Sequence, residues 1–446
     1  MRKKYGMKLS KNAKKFLGNS GWMIGQQIYY MLLSLVVGSL SARYLGPSNY
    51  GIINYGSSII SFFSIVCKLG LDGVIINEMI KTPEKQGTYL GTALVMRLIT
   101  SISSFFMVWA FVNIMEPGNK EIIVVTILQA FAVILQTYEV FTYWFQLKLK
   151  MKYVSIATMV GQTAVGIWRI LLLVNKASVY MFALSSSVLA LVSGIIVAIS
   201  YFCDHERDQK LKFSSKDGKY LLKNSYHYII AAVAITFYMQ IDKVMIGKII
   251  DSAAVGIYST ATLIAGLWEF VPTALVNSAR PLIIEERKKG YDAYIKKFQM
   301  LLLGISTLSI IVSIGMMIVG KLAILIMYGK DYLEATEPLS ILIWSTGFAM
   351  LGTARGIWLV TEGYNKYSKN MVIMGAILNF LLNSLFIPKW GITGAAFTTL
   401  ISQIFVSLIA PLLYKDTRQF DRIYFGSFRL IPEACMKLKL LLKNNK

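Results

Sequence analysis

Two stretches limit the possible folds of this chain more than anything else in it. Ile122 to Phe145 and Met181 to Phe202 each exceed twenty residues and together carry one charge, Glu139. A helix rises 1.5 Å per residue, so ~20 apolar residues cross the ~30 Å hydrocarbon core of a bilayer. Comparable runs recur along the chain, and hydropathy places about twelve spans. They lie at roughly 20–42, 50–70, 88–114, 121–144, 153–174, 178–202, 224–247, 254–278, 298–320, 335–358, 369–388 and 391–414. The 446 residues are 55% hydrophobic and 15% charged, against roughly 25% charged in soluble proteins. The expected fold class is therefore an all-α polytopic membrane protein. The first 18 residues are basic and polar, and the first apolar run lacks a small-residue cleavage site, so no cleavable signal peptide is expected.

The net charge of +23 would suit nucleic acid, but its placement argues against that partner. Lysine and arginine gather in the N-terminal tail (Arg2, Lys3, Lys4, Lys8, Lys11, Lys14, Lys15). They gather again after the even-numbered spans, at Lys148/Lys150/Lys152, Arg207 to Lys223 and Arg280 to Lys297. That alternation is the positive-inside pattern, and it places both termini in the cytoplasm, with added attraction to anionic membrane lipids. The outer loops are short: Asn175 to Ala177 and Pro388 to Gly391 are little more than turns. On the inner side, Val74 to Lys85 and Pro281 to Lys297 are expected as short amphipathic helices at the interface, and residues 416–446 as a basic cytoplasmic tail on the membrane surface. Cys67, Cys203 and Cys435 have no pairing or metal-ligand spacing, and His205 and His227 are the only histidines. No metal, cofactor or nucleophile constellation is present, so an enzyme is not the expected reading.

The chain repeats itself at half length. Asn19-Ser20 and Gly51-Ile52 recur as Asn224-Ser225 and Gly256-Ile257 at the same spacing, with Ile24 matching Ile229 and Arg43 matching Lys248. Two copies of a six-helix unit are expected: an N-terminal lobe at 1–202, a cytoplasmic linker at 203–223 and a C-terminal lobe at 224–415. Internal repeats of this kind are the plan of many secondary transporters.

Three motifs carry a resemblance. Ala42-Arg43-Tyr44-Leu45-Gly46-Pro47-Ser48-Asn49-Tyr50-Gly51 reads as a tight turn between antiparallel helices, with Pro47 stopping the first. Asn379-x-x-x-Asn383-x-x-x-Ile387-Pro388-x-x-Gly391-x-x-Gly394-Ala395-Ala396 puts two amides on one helix face, has Pro388 end that helix, and lets small residues pack the last helix closely. Asp242-Lys243-x-Met245-Ile246-Gly247 is followed by Val255-Gly256-Ile257-Tyr258. In order and spacing these resemble the polysaccharide and O-antigen repeat-unit flippases of the multidrug/oligosaccharidyl-lipid/polysaccharide (MOP) exporter superfamily, and the similarity covers nearly the whole chain. The resemblance implies two six-helix lobes in a V, a cavity open alternately to each side, and a bacterial cytoplasmic-membrane location. The implied cargo is an oligosaccharide repeat unit on undecaprenyl pyrophosphate, moved to the outer leaflet by an ion gradient or the membrane potential. A coupling cation, H+ or Na+, and polysaccharide polymerase machinery are the implied partners beside the lipid-linked oligosaccharide. A multidrug exporter of the same superfamily is the alternative, and a membrane-embedded polymerase or glycosyltransferase a more distant one.

Charges at membrane depth cost ~2.5–3.5 kcal/mol on insertion scales, so they select site candidates. Arg97, about ten residues into the third span, either holds the cargo pyrophosphate or pairs with Glu139. Arg169, Lys243 and Arg355 are further candidates for substrate binding; Arg169 and Arg355 lie near span ends and can instead snorkel. Asp242, toward the outer end of the seventh span beside Lys243, is a candidate for ion coupling or else marks a solvated helix end; Glu269, mid-span, is a candidate for ion coupling or for structural pairing. Gln26 and Asn383 either line a wet cavity or bond between helices, as do Gln27 and Gln240. Pro272, Gly161 and Gly166 are expected bend points.

Overall fold

A computed structural model describes residues 11–207 and 209–432, with side chains from residue 18 onward. The basic residues Arg2 to Lys8, Cys435 and the tail beyond residue 432 lie outside the described residues, and so do the side chains of Lys11, Lys14 and Lys15. The described chain is almost wholly helical, without a strand. Nine stretches among the described residues are long and apolar enough to cross a membrane. Two of them, Gly18–Cys67 and Asn365–Leu413, are about twice the needed length and are broken in the middle, at Gly46 and Gly391. With Thr336–Thr361, a further helix of 26 residues, the count is consistent with the twelve spans expected.

Backbone geometry moves both breaks away from the prolines. Gly46 has φ 70° and Gly391 φ 57°, values open to glycine and strained for other residues. Pro47 does not stop the first helix; it follows the break and opens the next helix, where its missing N–H costs nothing. Pro388 lies inside a helix that continues to Trp390. In the second copy the helix Ser215–Ile249 ends and a new one starts at Ser252, capped by Asp251, whose side chain accepts from the Ala254 N–H. Asp251 is the residue that the half-length repeat aligns with Gly46, so each copy breaks its first helical hairpin at the same place.

The chain divides into two compact units, residues 1–236 and 237–446, with the boundary inside the Ser215–Ile249 helix. In the first unit Leu71, Ile75, Met79, Trp144, Val197, Tyr201 and Leu221 form a buried core. Val74 to Lys85 does fold as short helical turns around Ile75–Lys81, with Ile75 and Met79 fully buried. Small residues set close helix approach. A Cβ at Gly161 would collide with Ser193 and Leu189, and one at Gly166 would touch Leu33. Gly161 and Gly166 are therefore packing positions, not bend points; the helix Met151–Val174 runs through both.

In the second unit Val276, Phe298, Ile305, Trp358 and Phe420 are buried together. Pro281 to Lys297 is not a separate amphipathic helix. Phe270–Lys289 runs through Pro281, and Tyr291–Met327 starts one residue later, after Gly290 at φ 159°. The expected bend near Pro272 appears as a tightened turn, Leu267–Glu269, just before it. The segment after Lys415 is more than a surface tail. Gln419–Ser427 is a helix whose Phe420, Ile423 and Tyr424 join the core, because aromatic side chains on one face find a cleft beside Phe298 and Trp358.

Candidate functional site

The first helix leaves regular α geometry at Ser34–Gly38, which forms a wider π turn. Such turns occur mostly as single-turn insertions in α-helices, often at functional sites. Here the π turn lines a cavity of about 220 Å³ inside the first unit. Its polar wall comes from four further elements: Ser57, Gln129, Gln162 and Arg169, and Ser185. Arg169 donates from Nε to the Ser185 hydroxyl at 3.2 Å and has no further hydrogen bond or ion pair among the described residues. Gln129 donates from Nε2 to the Ile53 carbonyl and the Ser57 hydroxyl, both at 3.1 Å. The side-chain carbonyls of Gln129 and Gln162 are buried and accept no hydrogen bond among the described residues. An unmet buried acceptor costs ~1–3 kcal/mol, so this wall is built for a donor-bearing guest or for water.

Arg97 is placed elsewhere. It is 2% exposed, and its Nη2 lies 2.5 Å from Glu139 Oε2. Lys68 reaches the same carboxylate oxygen at 3.4 Å. The guanidinium that sequence offers as a phosphate clamp is therefore committed to a carboxylate, since a paired charge is far cheaper to bury than a free one. Glu139 ends a short 3-10 turn, Gln136–Glu139, that interrupts the fourth span. A separate cavity of about 380 Å³ meets Lys68, Asp72 and Glu139, while Arg97 lies behind them. Asp72 in turn accepts from the Tyr143 hydroxyl.

In the second unit Asp242 is 6% exposed and is not at a solvated helix end. Its carboxylate accepts from the Tyr258 hydroxyl at 2.9 Å, the Thr399 hydroxyl at 2.5 Å and Asn383 Nδ2 at 2.6 Å. Asn383 Nδ2 also donates to Asn379 Oδ1 at 3.1 Å, and the Thr398 hydroxyl donates to Asn383 Oδ1. The two amides one turn apart in sequence thus meet the acid of the Asp242-Lys243 motif in one oxygen-rich cluster. Lys243 is half-buried and makes no hydrogen bond to Asp242. Glu269, half-buried, has neither hydrogen bond nor ion pair among the described residues.

Arg355 is 3% exposed and donates from Nη1 to the Val406 carbonyl and, at 3.1 Å, to that of Ser407. Those carbonyls belong to a second π turn, Phe405–Ile409, whose displaced groups need a donor. Arg355 thus secures a helix distortion and lines none of the cavities described above. Gln26 is half-buried on the first helix. Sequence reasoning missed Gln129, Gln162 and Lys68. Gln129 and Gln162 carried the same signal as Gln26, an amide inside an apolar run; Lys68, at the end of the second span, carried no signal that set it apart from other lysines at span ends. Tyr258 lay in the Val255-Gly256-Ile257-Tyr258 motif but was given no role of its own, and Thr399 carried no signal at all. No cluster of three or more metal-ligating His, Cys, Asp or Glu side chains occurs among the described residues.

Relatives share this chain over most of its length. A protein of Escherichia coli K12 named "Putative O-antigen transporter" is 21% identical over 87% of this chain and 94% of its own. The capsular polysaccharide biosynthesis protein CapF of Staphylococcus aureus is 24% identical over 88% and 97%. Among solved structures, the lipid II flippase MurJ in an inward closed conformation superposes with a TM-score of 0.70 at 14% identity, covering 92% of each chain. An inward-facing multidrug resistance transporter of the MATE family, in the MOP superfamily, gives 0.55 at 13% identity, covering 93% and 96%. These two establish the fold: a multi-pass helical membrane protein of two lobes. The sequence profile of one family matches residues 16–283, more than half of the chain, and the chain belongs to that family, the polysaccharide biosynthesis proteins.

Proposed function

We propose that this chain moves oligosaccharide repeat units, carried on undecaprenyl pyrophosphate, from the cytoplasmic to the outer leaflet of a bacterial cytoplasmic membrane, with both its termini cytoplasmic. The observation that carries this reading is the cavity beside Arg169. A guanidinium with free terminal nitrogens matches a phosphate oxygen pair, and the unmet carbonyls of Gln129 and Gln162 match sugar hydroxyl donors. At about 220 Å³ the cavity is below the ~300–1,000 Å³ of sites that bury a drug-sized ligand, so it takes one group of a larger cargo. The family and the named relatives support the same cargo class.

Movement requires no covalent chemistry. The mechanism is alternating access, with the headgroup exposed first to one side and then to the other before release to polymerase machinery. The Asp242 cluster serves as the coupling site. Its carboxylate, amide and hydroxyl oxygens suit Na+ or a proton, and rearrangement of Tyr258, Thr399 and Asn383 would accompany binding. Glu269, with no hydrogen bond or ion pair among the described residues, is the second candidate to carry a coupling proton. Lys243 and Gln26 are assigned to the polar path of the cargo, and Arg97 and Arg355 to holding the fold.

The test is reconstitution in liposomes with a fluorescent undecaprenyl-pyrophosphate oligosaccharide, scoring its passage between leaflets. Arg169→Ala should abolish most of the protein-dependent movement at matched folding, and Arg169→Lys should retain part of it. Unimpaired movement in Arg169→Ala would remove the site assignment. Absence of movement by the intact protein, with efflux of a cationic dye, would replace the flippase reading by a drug exporter.

A further inference from the structure

The helix Gln419–Ser427 does more than fill a cleft. Its first turns, with the residues just before them, wall a cavity of about 430 Å³ lined by Gln299, Lys415, Arg418, Gln419, Arg422 and Ile423. Three of these six residues are cations and none is an acid. The neighbouring acids are turned elsewhere: Asp416 accepts from the Tyr367 hydroxyl at 2.5 Å, and Asp421 is buried on the core side of the helix. Lys415 and Arg422 have no hydrogen bond or ion pair among the described residues. Arg418 donates only from Nε, to the Leu412 carbonyl at 2.7 Å, which aims the guanidinium and leaves its terminal nitrogens free.

The platform beneath these cations is rigid. Thr417 donates to the Pro411 carbonyl at 2.6 Å, Gln419 Nε2 to the Tyr291 hydroxyl at 2.5 Å, and Gln299 Nε2 to the Ile423 carbonyl at 3.2 Å. Phe420 is fully buried below. Holding three like charges together without a counter-charge costs free energy that an anion would repay. The depth of the cavity indicates which anion. The last membrane stretch ends at Leu413, two residues before Lys415. Leu412 and Leu413, just before Lys415 in sequence, and Phe425, on the same helix as Arg422, are 45, 52 and 60% exposed. Cations at headgroup depth beside bare apolar side chains fit a molecule with a phosphate on one end and acyl chains on the other.

We infer that Lys415, Arg418 and Arg422 form a binding site for the phosphate of an anionic membrane phospholipid, docked where the C-terminal helix folds back under the second unit. The inference is independent of the cargo assigned above.

The full chain, purified in detergent, would be examined by native mass spectrometry with phosphatidylglycerol, phosphatidylcholine, undecaprenyl diphosphate or inorganic pyrophosphate added separately. Retention of phosphatidylglycerol over phosphatidylcholine is expected. It should fall on the order of thirtyfold in Arg418→Gln/Arg422→Gln, since two cations at ~1 kcal/mol each are removed. Arg418→Lys/Arg422→Lys, which keeps the charges, should retain most of it. Arg280→Gln/Lys288→Gln removes the same charge from other exposed positions and should change nothing. Equal retention of both phospholipids, or equal loss in the two glutamine pairs, would overturn the site. Preference for undecaprenyl diphosphate, or binding of pyrophosphate without lipid, would overturn the phospholipid assignment.

Discussion

Arg97 and Glu139 lie 2.5 Å apart, and the arginine side chain is 3% exposed in the middle of a membrane span. Lys68 shares the carboxylate, so one acid serves two bases. Removing the acid strands a buried guanidinium, at ~3–5 kcal/mol, whereas removing both members together costs less; removing Arg97 alone leaves Glu139 still paired with Lys68. Glu139→Leu should therefore lower the apparent melting temperature in detergent sharply, and Arg97→Leu/Glu139→Leu should recover part of the loss. A melting temperature unchanged by Glu139→Leu, with transport abolished by Arg97→Leu, would return the arginine to a cargo role.

Asp242 gathers three donors from three side chains: Tyr258, Thr399 and Asn383. Asp242→Asn keeps one acceptor oxygen but turns an amide N–H towards groups that are themselves donors, and it removes the charge an ion would bind. Cargo movement in liposomes with an imposed Na+ or proton gradient should then fall to the gradient-free rate, while slow exchange without a gradient persists. Undiminished stimulation by the gradient in this variant would exclude Asp242 from coupling.

Spans were legible because a run such as Met181 to Phe202 has no other stable home, and the repeat was legible because Asn19-Ser20 and Gly51-Ile52 recur at the same spacing as Asn224-Ser225 and Gly256-Ile257; the matching breaks at Gly46 and Asp251 were not, since the two residues differ. Partners were not. Arg97 reads the same whether it faces cargo or Glu139, and only the fold brings together residues 42 positions apart. Pro47 and Pro388 were read as helix stops, yet the strained dihedrals fall on Gly46 and Gly391. The tail helix was hidden because Phe420, Ile423 and Tyr424 are too few for a hydropathy signal, and their burial depends on a cleft made by Phe298 and Trp358. Arg169 was singled out for its charge, but the amide oxygens that make its surroundings a site belong to residues 129 and 162 on two helices.

The linker between the repeats is strapped to the first unit. Gly87 donates its N–H to Gln209 Oε1 at 2.9 Å, Lys212 donates its own to the Gly87 carbonyl at 3.3 Å, and Ser214 N–H donates to Thr92 Oγ1 at 3.0 Å. A Cβ at Gly91 would come within 2.5 Å of the Lys212 carbonyl oxygen and 2.7 Å of its nitrogen, both backbone atoms that cannot rotate away. Gly91→Val should lift residues 209–214 at a local cost of ~1–3 kcal/mol. Trypsin should then cut faster at Lys210 and Lys212. Gly304→Ala, where the added carbon meets nothing within 4 Å, should leave the cutting rate unchanged. An unaltered rate in Gly91→Val would mean that the strap is not held by this close approach.

Asp421 lies beyond the last membrane stretch, on the core side of the helix Gln419–Ser427, 6% exposed and with neither carboxylate oxygen hydrogen-bonded among the described residues. Burial pushes its carboxyl from 3.8 up to about 6, against the opposing pull of the Arg355 guanidinium. The folded value lies above the unfolded one, so the folded chain binds the extra proton. Its stabilising contribution is full below about pH 3.8 and is lost as pH rises through about 6. Asp421→Asn, which cannot ionise, should raise the apparent melting temperature at pH 7.5 and give little or no gain at pH 4. A gain of equal size at both pH values would trace the effect to packing around Phe420 instead of to the buried charge, and a loss at pH 7.5 would show that the attraction to Arg355 outweighs the cost of burial.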